Sequence, residues 1–249
     1  YHMDCLLHPE RFAPVVFAED CEQCAYDQAC RNSCIFDAFE EDEEGKIRIN
    51  KEKCIGCGAC VDACRLEKLA ANKDVVPVLR AVRGSGREVY ALVAPAFLGQ
   101  FGEGVTTGKL RAAFKAMGFQ GMIEVAVFAD LLTLKEALEF DANIKEEQDF
   151  QLTSCCCPVW IAMIRNVYGE LMPHVPGAVS PMIAAGRVVK KLHPEAVTVF
   201  VGPCMAKKKE AREADIADAI DYVLTFQEIQ DIFEAAEIHP QLLGEDEKE

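Results

Sequence analysis

From Val89 onward, short apolar runs alternate with longer amphipathic stretches, the pattern of a parallel sheet covered by helices. Residues 89–94, 123–128, 150–152, 197–201 and 222–224 read as strands. Between them, 109–117, 131–146, 159–168, 182–192, 207–214 and 226–236 read as helices, with Gly118 and Gly169 placed as C-terminal caps. Ahead of this region the pattern changes. Residues 3–70 are dense in cysteine, and only Val15-Val16-Phe17 and Ile47-Arg48-Ile49 have β character. Residues 71–88, broken by Pro77 and Gly84-Ser85-Gly86, read as a linker. The expected organisation is a small domain over 3–70, an α/β domain with a mostly parallel sheet over 89–240, and an acidic tail over 241–249.

Eight of the 13 cysteines form two spaced sets, Cys21, Cys24, Cys30, Cys34 and Cys54, Cys57, Cys60, Cys64. The second set is C-x2-C-x2-C-x3-C, the spacing by which a short loop gives three thiolates to one 4Fe–4S cluster and the fourth to its neighbour. Crossed in this way, Cys21, Cys24, Cys30 and Cys64 hold one cluster, and Cys54, Cys57, Cys60 and Cys34 the other. Residues 3–70 are therefore expected to form an α+β ferredoxin-like domain with two 4Fe–4S clusters. The first set is stretched to C-x2-C-x5-C-x3-C, and Ile35 and Arg65 stand where a proline usually follows the fourth cysteine. Paired CxxC knuckles also bind zinc, which is the competing reading.

At 249 residues and 51% hydrophobic composition the chain is long enough for one sizeable domain and a small one. No run approaches the ~18 apolar residues of a membrane span, and no basic-then-apolar leader opens the chain, so a cytoplasmic location is expected. His2-Met3 reads as a cloning remnant ahead of a natural start. So many cysteines in such a chain imply bound metal in a reducing compartment rather than disulfides. The net charge of −15 opposes binding to nucleic acid and suits docking to the basic face of a redox partner, in a multi-subunit complex or a homodimer. Acidic runs at 40–44 and 245–249 read as solvated loops.

Cys155-Cys156-Cys157 follow one strand candidate and Cys204 another, each just before a helix. Ligands of open parallel sheets collect at the carboxyl ends of strands, so these cysteines and the Ala94-Pro95-Ala96 turn are expected to face one crevice. Soft thiolates there favour a third iron–sulfur site, with Cys156, Cys157 and Cys204 as ligands in an unusual coordination. The alternative is that the triplet packs as small hydrophobes. The frame at 102–109 fails as a phosphate loop, because Glu103 takes the first glycine position and Leu110 follows Lys109. The Lys207-Lys208-Lys209 run puts like charge at a helix start, and a solvated face is expected for at least two of the three. Cys5 lies outside every motif and reads as a free thiol.

Thr153-Ser154-Cys155-Cys156-Cys157-Pro158-Val159-Trp160 and Pro203-Cys204-Met205-Ala206-Lys207-Lys208-Lys209-Glu210 resemble the first two signatures of the iron-only (FeFe) hydrogenases. Val93-Ala94-Pro95-Ala96, Thr107-Gly108-Lys109-Leu110, Ala129-Asp130-Leu131 and Tyr222-Val223-Leu224-Thr225 add to the likeness, which spans about residues 21–240. A double-cubane domain ahead of the catalytic domain is also this family's arrangement. The resemblance implies an active cubane held by four cysteines and joined through one of them to a two-iron centre carrying carbonyl and cyanide. Lys207 holds the position of the family's cyanide-binding lysine, and Pro95 a cofactor-facing one. Glu136 and Glu139 match the family's relay carboxylates, and because the first signature carries an extra cysteine, the family's proton-transferring thiol and adjacent cubane ligand map to Cys155 and Cys156 or to Cys156 and Cys157, the latter favoured because Pro158 fixes the register.

The departures are as informative. No cysteine follows Cys204, so the two cubane cysteines of the family's third signature have no counterpart within these residues. Pro176 takes the relay serine's place, Gly202 stands where the family has methionine, and Met182 replaces a glutamine. The expected function is an iron–sulfur electron-transfer protein or subunit derived from this family, without hydrogenase activity on its own. The alternatives are a hydrogenase completed by a second polypeptide or cut short here, and a redox sensor or iron–sulfur assembly factor.

Overall fold

The computed structural model describes residues 2–19, 21, 24, 26–153 and 156–247. Its larger part is built on strands β5 (Val89–Val93), β6 (Gly121–Glu124), β7 (Val197–Gly202) and β8 (Tyr222–Thr225), after the smaller β1 (Val15–Phe17), β2 (Phe39–Glu41), β3 (Ile47–Ile49) and β4 (Leu69–Ala71). The helices are α1 (His2–Leu7), α2 (Ala29–Asn32), α3 (Ala59–Ala63), α4 (Val75–Gly84), α5 (Thr107–Met117), α6 (Ala126–Asn143), α7 (Pro158–Asn166), α8 (Pro181–Leu192), α9 (Lys207–Glu210) and α10 (Phe226–Ala235).

The sheet order is β6-β5-β7-β8 and every pairing is parallel. Every residue of β7 is buried, which explains why it is apolar but for Thr198, whose hydroxyl donates to Ala219 O (2.9 Å): a parallel strand covered on both faces has no polar side to alternate with. Helices α5, α8 and α10 bury one stripe each, including Leu110 and Phe114, Ile183 and Val189, and Ile229 and Phe233. Their starts are written in the sequence. Thr106 accepts from the Lys109 amide, Ser180 from that of Ile183, and Thr225 and Glu228 form a reciprocal capping box on α10.

The mostly parallel sheet is as expected, with two corrections. Residues 123–128 are not one strand: β6 stops at Glu124, Val125 bonds its amide to Val93 O (3.0 Å), and α6 begins at Ala126. The apolar run there is shared between a strand end and a helix start, which periodicity cannot separate. Residues 150–152 form no strand. Phe150 stacks on His174 with ring centroids 3.8 Å apart, and Leu152 donates to His174 O (2.8 Å). Residues 75–84, within the segment read as linker, fold as α4, whose Pro77 sits in the first turn where no amide donor is needed.

In the smaller part, β1 pairs antiparallel with β4, and β2 with β3. Val15, Ala38, Phe39 and Leu69 pack there with Cys54 and Cys60. The 40–44 run is structured: Glu40 and Glu41 lie in β2, and Asp42 accepts from the Lys46 amide (2.8 Å) and Arg48 Nε (2.8 Å) to close the hairpin. Cys5 is buried and donates to Asn72 Oδ1 (3.4 Å), and burial pushes its thiol pKa up.

The two parts meet closely. Asp74, 2% exposed, accepts from Arg212 (2.8 Å) and from the Val223 amide (2.9 Å), and Arg212 also donates to Pro9 O (3.2 Å). Gly56, at φ +75°, lies against the turn after β7: an added Cβ would stand 2.8 Å from Pro14 Cβ and 3.2 Å from Ala206 Cα. Gly56→Ala therefore combines left-handed strain with a backbone clash and is expected to lower stability by about 2–4 kcal/mol, read as a drop in the urea midpoint.

Candidate metal centres

The cysteine loop after β3 turns on Gly56 and Gly58, both at positive φ, which lets three thiols project from one short segment. Cys34, Cys54, Cys57 and Cys60 line a single pocket beneath Val15, Phe39 and Ile49. Burial, then the neighbouring Cys54, Cys57 and Cys34, push the Cys60 thiol up to about 12. Cys30 is likewise raised by burial and by Cys64, Cys21 and Cys24. Cys34 of the first motif thus acts on the second, and Cys64 of the second on the first. Among the described residues no three His, Cys, Asp or Glu side chains close round a single ion, as tetrahedral zinc requires. A cubane takes one thiolate at each iron corner, so its ligands stand farther apart than those of one ion.

Cys204 follows β7 at the carboxyl edge of the sheet, whereas Cys157, with no strand directly before it among the described residues, is the N-cap residue of α7, with Pro158 in the first turn and Ile161 donating to its carbonyl (3.0 Å). Cys156 and Cys157 are exposed, Cys204 is partly exposed, and Cys155 and Ser154 lie outside the described residues. Lys207 links the two segments. Its ammonium donates to Cys156 O (2.8 Å) and to Glu210 Oε2 (2.6 Å), and both Lys207 and Glu210 are buried.

The solvated-face expectation for the lysine run is overturned. Lys208 is fully buried, donating to Val223 O (2.8 Å) and to Glu228 at 3.0 and 3.2 Å. Lys209 donates to Lys51 O (3.1 Å) and faces Glu52 at 3.4 Å. A buried pair of this kind stands only while both partners remain, since either charge left alone in the interior costs several kcal/mol, roughly 3–5. Glu228 was not singled out from the sequence, although Thr225-x-x-Glu228 is a capping-box spacing that would have found it. Helix α9 also ends at Glu210, short of the expected 214.

The turn that carries Cys204 touches the cysteine loop of the smaller part. Met205 packs on the Cys54 and Cys60 core, and its Cε lies 3.6 Å from a Cβ built on Gly58. Gly202 has no room for the family's methionine: a Cβ there would stand 2.6 Å from the Phe200 ring. Met182 is buried in the core, and Pro95 is exposed in the 3-10 turn Pro95–Phe97 after β5. Glu136 and Glu139 lie on α6. Glu139 Oε1 accepts from the Gly177 amide (3.0 Å), beside Pro176, while its Oε2 is buried without a partner. The acidic tail is not simply solvated: Glu245 accepts from Thr106 (2.6 Å), and Asp246 takes Lys115 (2.5 Å) and Arg111 (2.7 Å).

The cysteine quartets and the four-stranded sheet define an iron–sulfur protein of α/β type. Residues 45–66 match the family described as 4Fe-4S binding domain, and residues 87–249 match the iron-only hydrogenase large subunit, C-terminal domain. The chain belongs to that hydrogenase family. It is 29% identical to iron hydrogenase 1 of Clostridium pasteurianum over 79% of this chain and 45% of that protein. It is 23% identical to a probable cytosolic Fe-S cluster assembly factor of Drosophila melanogaster, over 80% of this chain and 49% of that protein. The FeFe-hydrogenase HydA1 from Chlamydomonas reinhardtii superposes with a TM-score of 0.61 at 28% identity, over 70% of this chain and 50% of the other. The chain thus spans about half the length of the relatives it matches. Among the described residues no helix is long and apolar enough to cross a membrane.

Proposed function

We propose that this chain is an iron–sulfur electron-transfer protein, acting as a subunit or module of a low-potential redox system, without hydrogenase activity by itself. Cys21, Cys24, Cys30 and Cys64 hold one 4Fe–4S cluster, and Cys34, Cys54, Cys57 and Cys60 a second. The observation that carries the reading is the pocket lined by Cys34, Cys54, Cys57 and Cys60, which joins both motifs and lies against the Met205 turn. When bound, each cluster supplies one-electron redox chemistry. The chain's part is to hold the thiolates, exclude water with Val15, Phe39 and Ile49, and keep the cysteine loop in van der Waals contact with the Cys204 turn.

Cys156, Cys157 and Cys204 form a third, incompletely ligated iron–sulfur site at the sheet edge. The Lys207 ammonium supports this reading by drawing the Cys156 backbone to the Cys204 turn. Two adjacent thiolates rarely both reach one cubane, so the remaining ligand comes from a second subunit, a small molecule or an oxygen donor. The protein is expected to lose iron beyond the two cubanes on Cys204→Ser, measured by anaerobic iron and sulfide counting. A value unchanged near eight irons per chain, the sum for two cubanes, sinks the third site while leaving the first two intact.

A second reading, iron–sulfur assembly, is favoured by the likeness to the Drosophila assembly factor. It requires that a cluster leave the chain. Transfer of iron–sulfur units to an apo-protein separates it from the carrier reading, which needs reversible one-electron reduction with no loss of iron.

A further inference from the structure

Helix α6 is 18 residues long and buries none of them fully. Its inward face is half-buried, through Phe128, Leu132, Glu136 and Glu139, and packs toward α8. Its outward face carries Val127, Leu131, Leu134 and Leu138, which are 57%, 60%, 62% and 65% exposed. Isolated exposed leucines are ordinary, but four in one line are not. Their spacing runs four, three, four, the alternation that keeps an apolar seam on one side of a helix paired with another helix. Asp141 ends the seam at the next position of the same series.

The flanks of the seam differ in sign. Asp130 stands exposed on one side and Lys135 on the other, where its ammonium also donates to Gly177 O (2.9 Å). In a parallel helix pair a residue on the first flank faces the residue five positions on in the partner, so Asp130 of one copy meets Lys135 of the other. An antiparallel pair would instead oppose Asp130 to Asp130 and Lys135 to Lys135. A single surface that carries both halves of a complementary pair suits two-fold symmetry, in which one patch meets itself.

We propose that the outward face of α6 is a homodimer interface, in which a second copy of this chain lays its α6 parallel to the first along Val127, Leu131, Leu134 and Leu138. Four side chains offer roughly half of the ~800 Å² per partner that a standard interface buries. A contact of this size falls among weak, transient interfaces and area does not fix affinity, so the expectation put to the test is a dissociation constant on the order of 10 μM.

Sedimentation equilibrium of the anaerobically purified protein tests this up to about 100 μM, a range that spans such a constant. The expected result is a monomer–dimer equilibrium that Leu134→Lys weakens by tenfold or more, about what losing one central apolar contact to a charge costs. Asp130→Lys alone should weaken it, and Asp130→Lys with Lys135→Asp should restore it, which a merely misfolded variant could not do. A monomer throughout the range overturns the proposal and leaves the face to a longer polypeptide or a different partner. A dimer indifferent to Leu134→Lys, or one that the double charge exchange fails to restore, overturns it equally.

Discussion

Replacing Cys57 with serine is expected to remove about four irons per chain, half of the total for two cubanes, and to abolish one of two overlapping cubane EPR signals. The size of the effect follows from the pocket. Cys34, Cys54, Cys57 and Cys60 line it together, so a lost thiolate leaves one iron corner without a ligand. Serine is a harder donor than a thiolate and a poor substitute for iron of this kind. The surviving cluster, which the proposal places on Cys21, Cys24, Cys30 and Cys64, should keep a potential of about −400 mV, in the ferredoxin range. Cys5→Ser serves as the control and leaves iron unchanged, because Cys5 donates to Asn72 and stands outside both quartets. Zinc in place of iron after anaerobic reconstitution would reject the cubane reading at once.

Hydrogen chemistry is expected to be absent from the 249-residue polypeptide. Neither evolution nor oxidation of hydrogen should rise above background, with or without the family's maturation machinery. The likeness to the family implies four cysteines around the active cubane, one of them bridging to the two-iron centre. Within these residues no cysteine follows Cys204. Lys207, at the position of the cyanide-binding lysine, is held by Glu210 (2.6 Å) and Cys156 O (2.8 Å). Infrared spectra after maturation should accordingly lack carbonyl and cyanide bands. Robust hydrogen production by this polypeptide in isolation would overturn the carrier reading and favour an enzyme.

The sheet and its helices were legible because each obeys a local rule. Apolar runs, broken in β7 only by Thr198, mark β5 and β7, and Thr106, Ser180 and Thr225 announce the helices that follow them. Local rules fail where tertiary partners decide. At the boundary between β6 and α6 the Val125 amide still bonds to Val93 O while its carbonyl already accepts from Phe128 and Ala129, and the 150–152 run is held by His174 rather than by a neighbouring strand. The lysine run is the clearest case. At least two of three successive cations read as solvent-facing, yet Lys207 and Lys208 are buried, Lys208 against Glu228, a residue twenty positions away that sequence spacing does not connect to it. Glu245 and Asp246 misled in the same way, since Thr106, Arg111 and Lys115 await them on α5.

The strand order also governs how the chain comes together in time. β5 pairs with β7, and the whole of α5, β6, α6, α7 and α8 lies between them in the sequence. Closing so long a loop before its contacts form makes parallel pairing slow. The β2–β3 hairpin and the Cys54–Cys60 segment are local and need no such closure. The thiols of the second motif are therefore gathered while the sheet is still open. The Met205 turn, fixed only once β7 has docked, arrives afterwards and seals them from the side. Iron and sulfide are best delivered in that interval, before the Met205 turn packs on the Cys54 and Cys60 core.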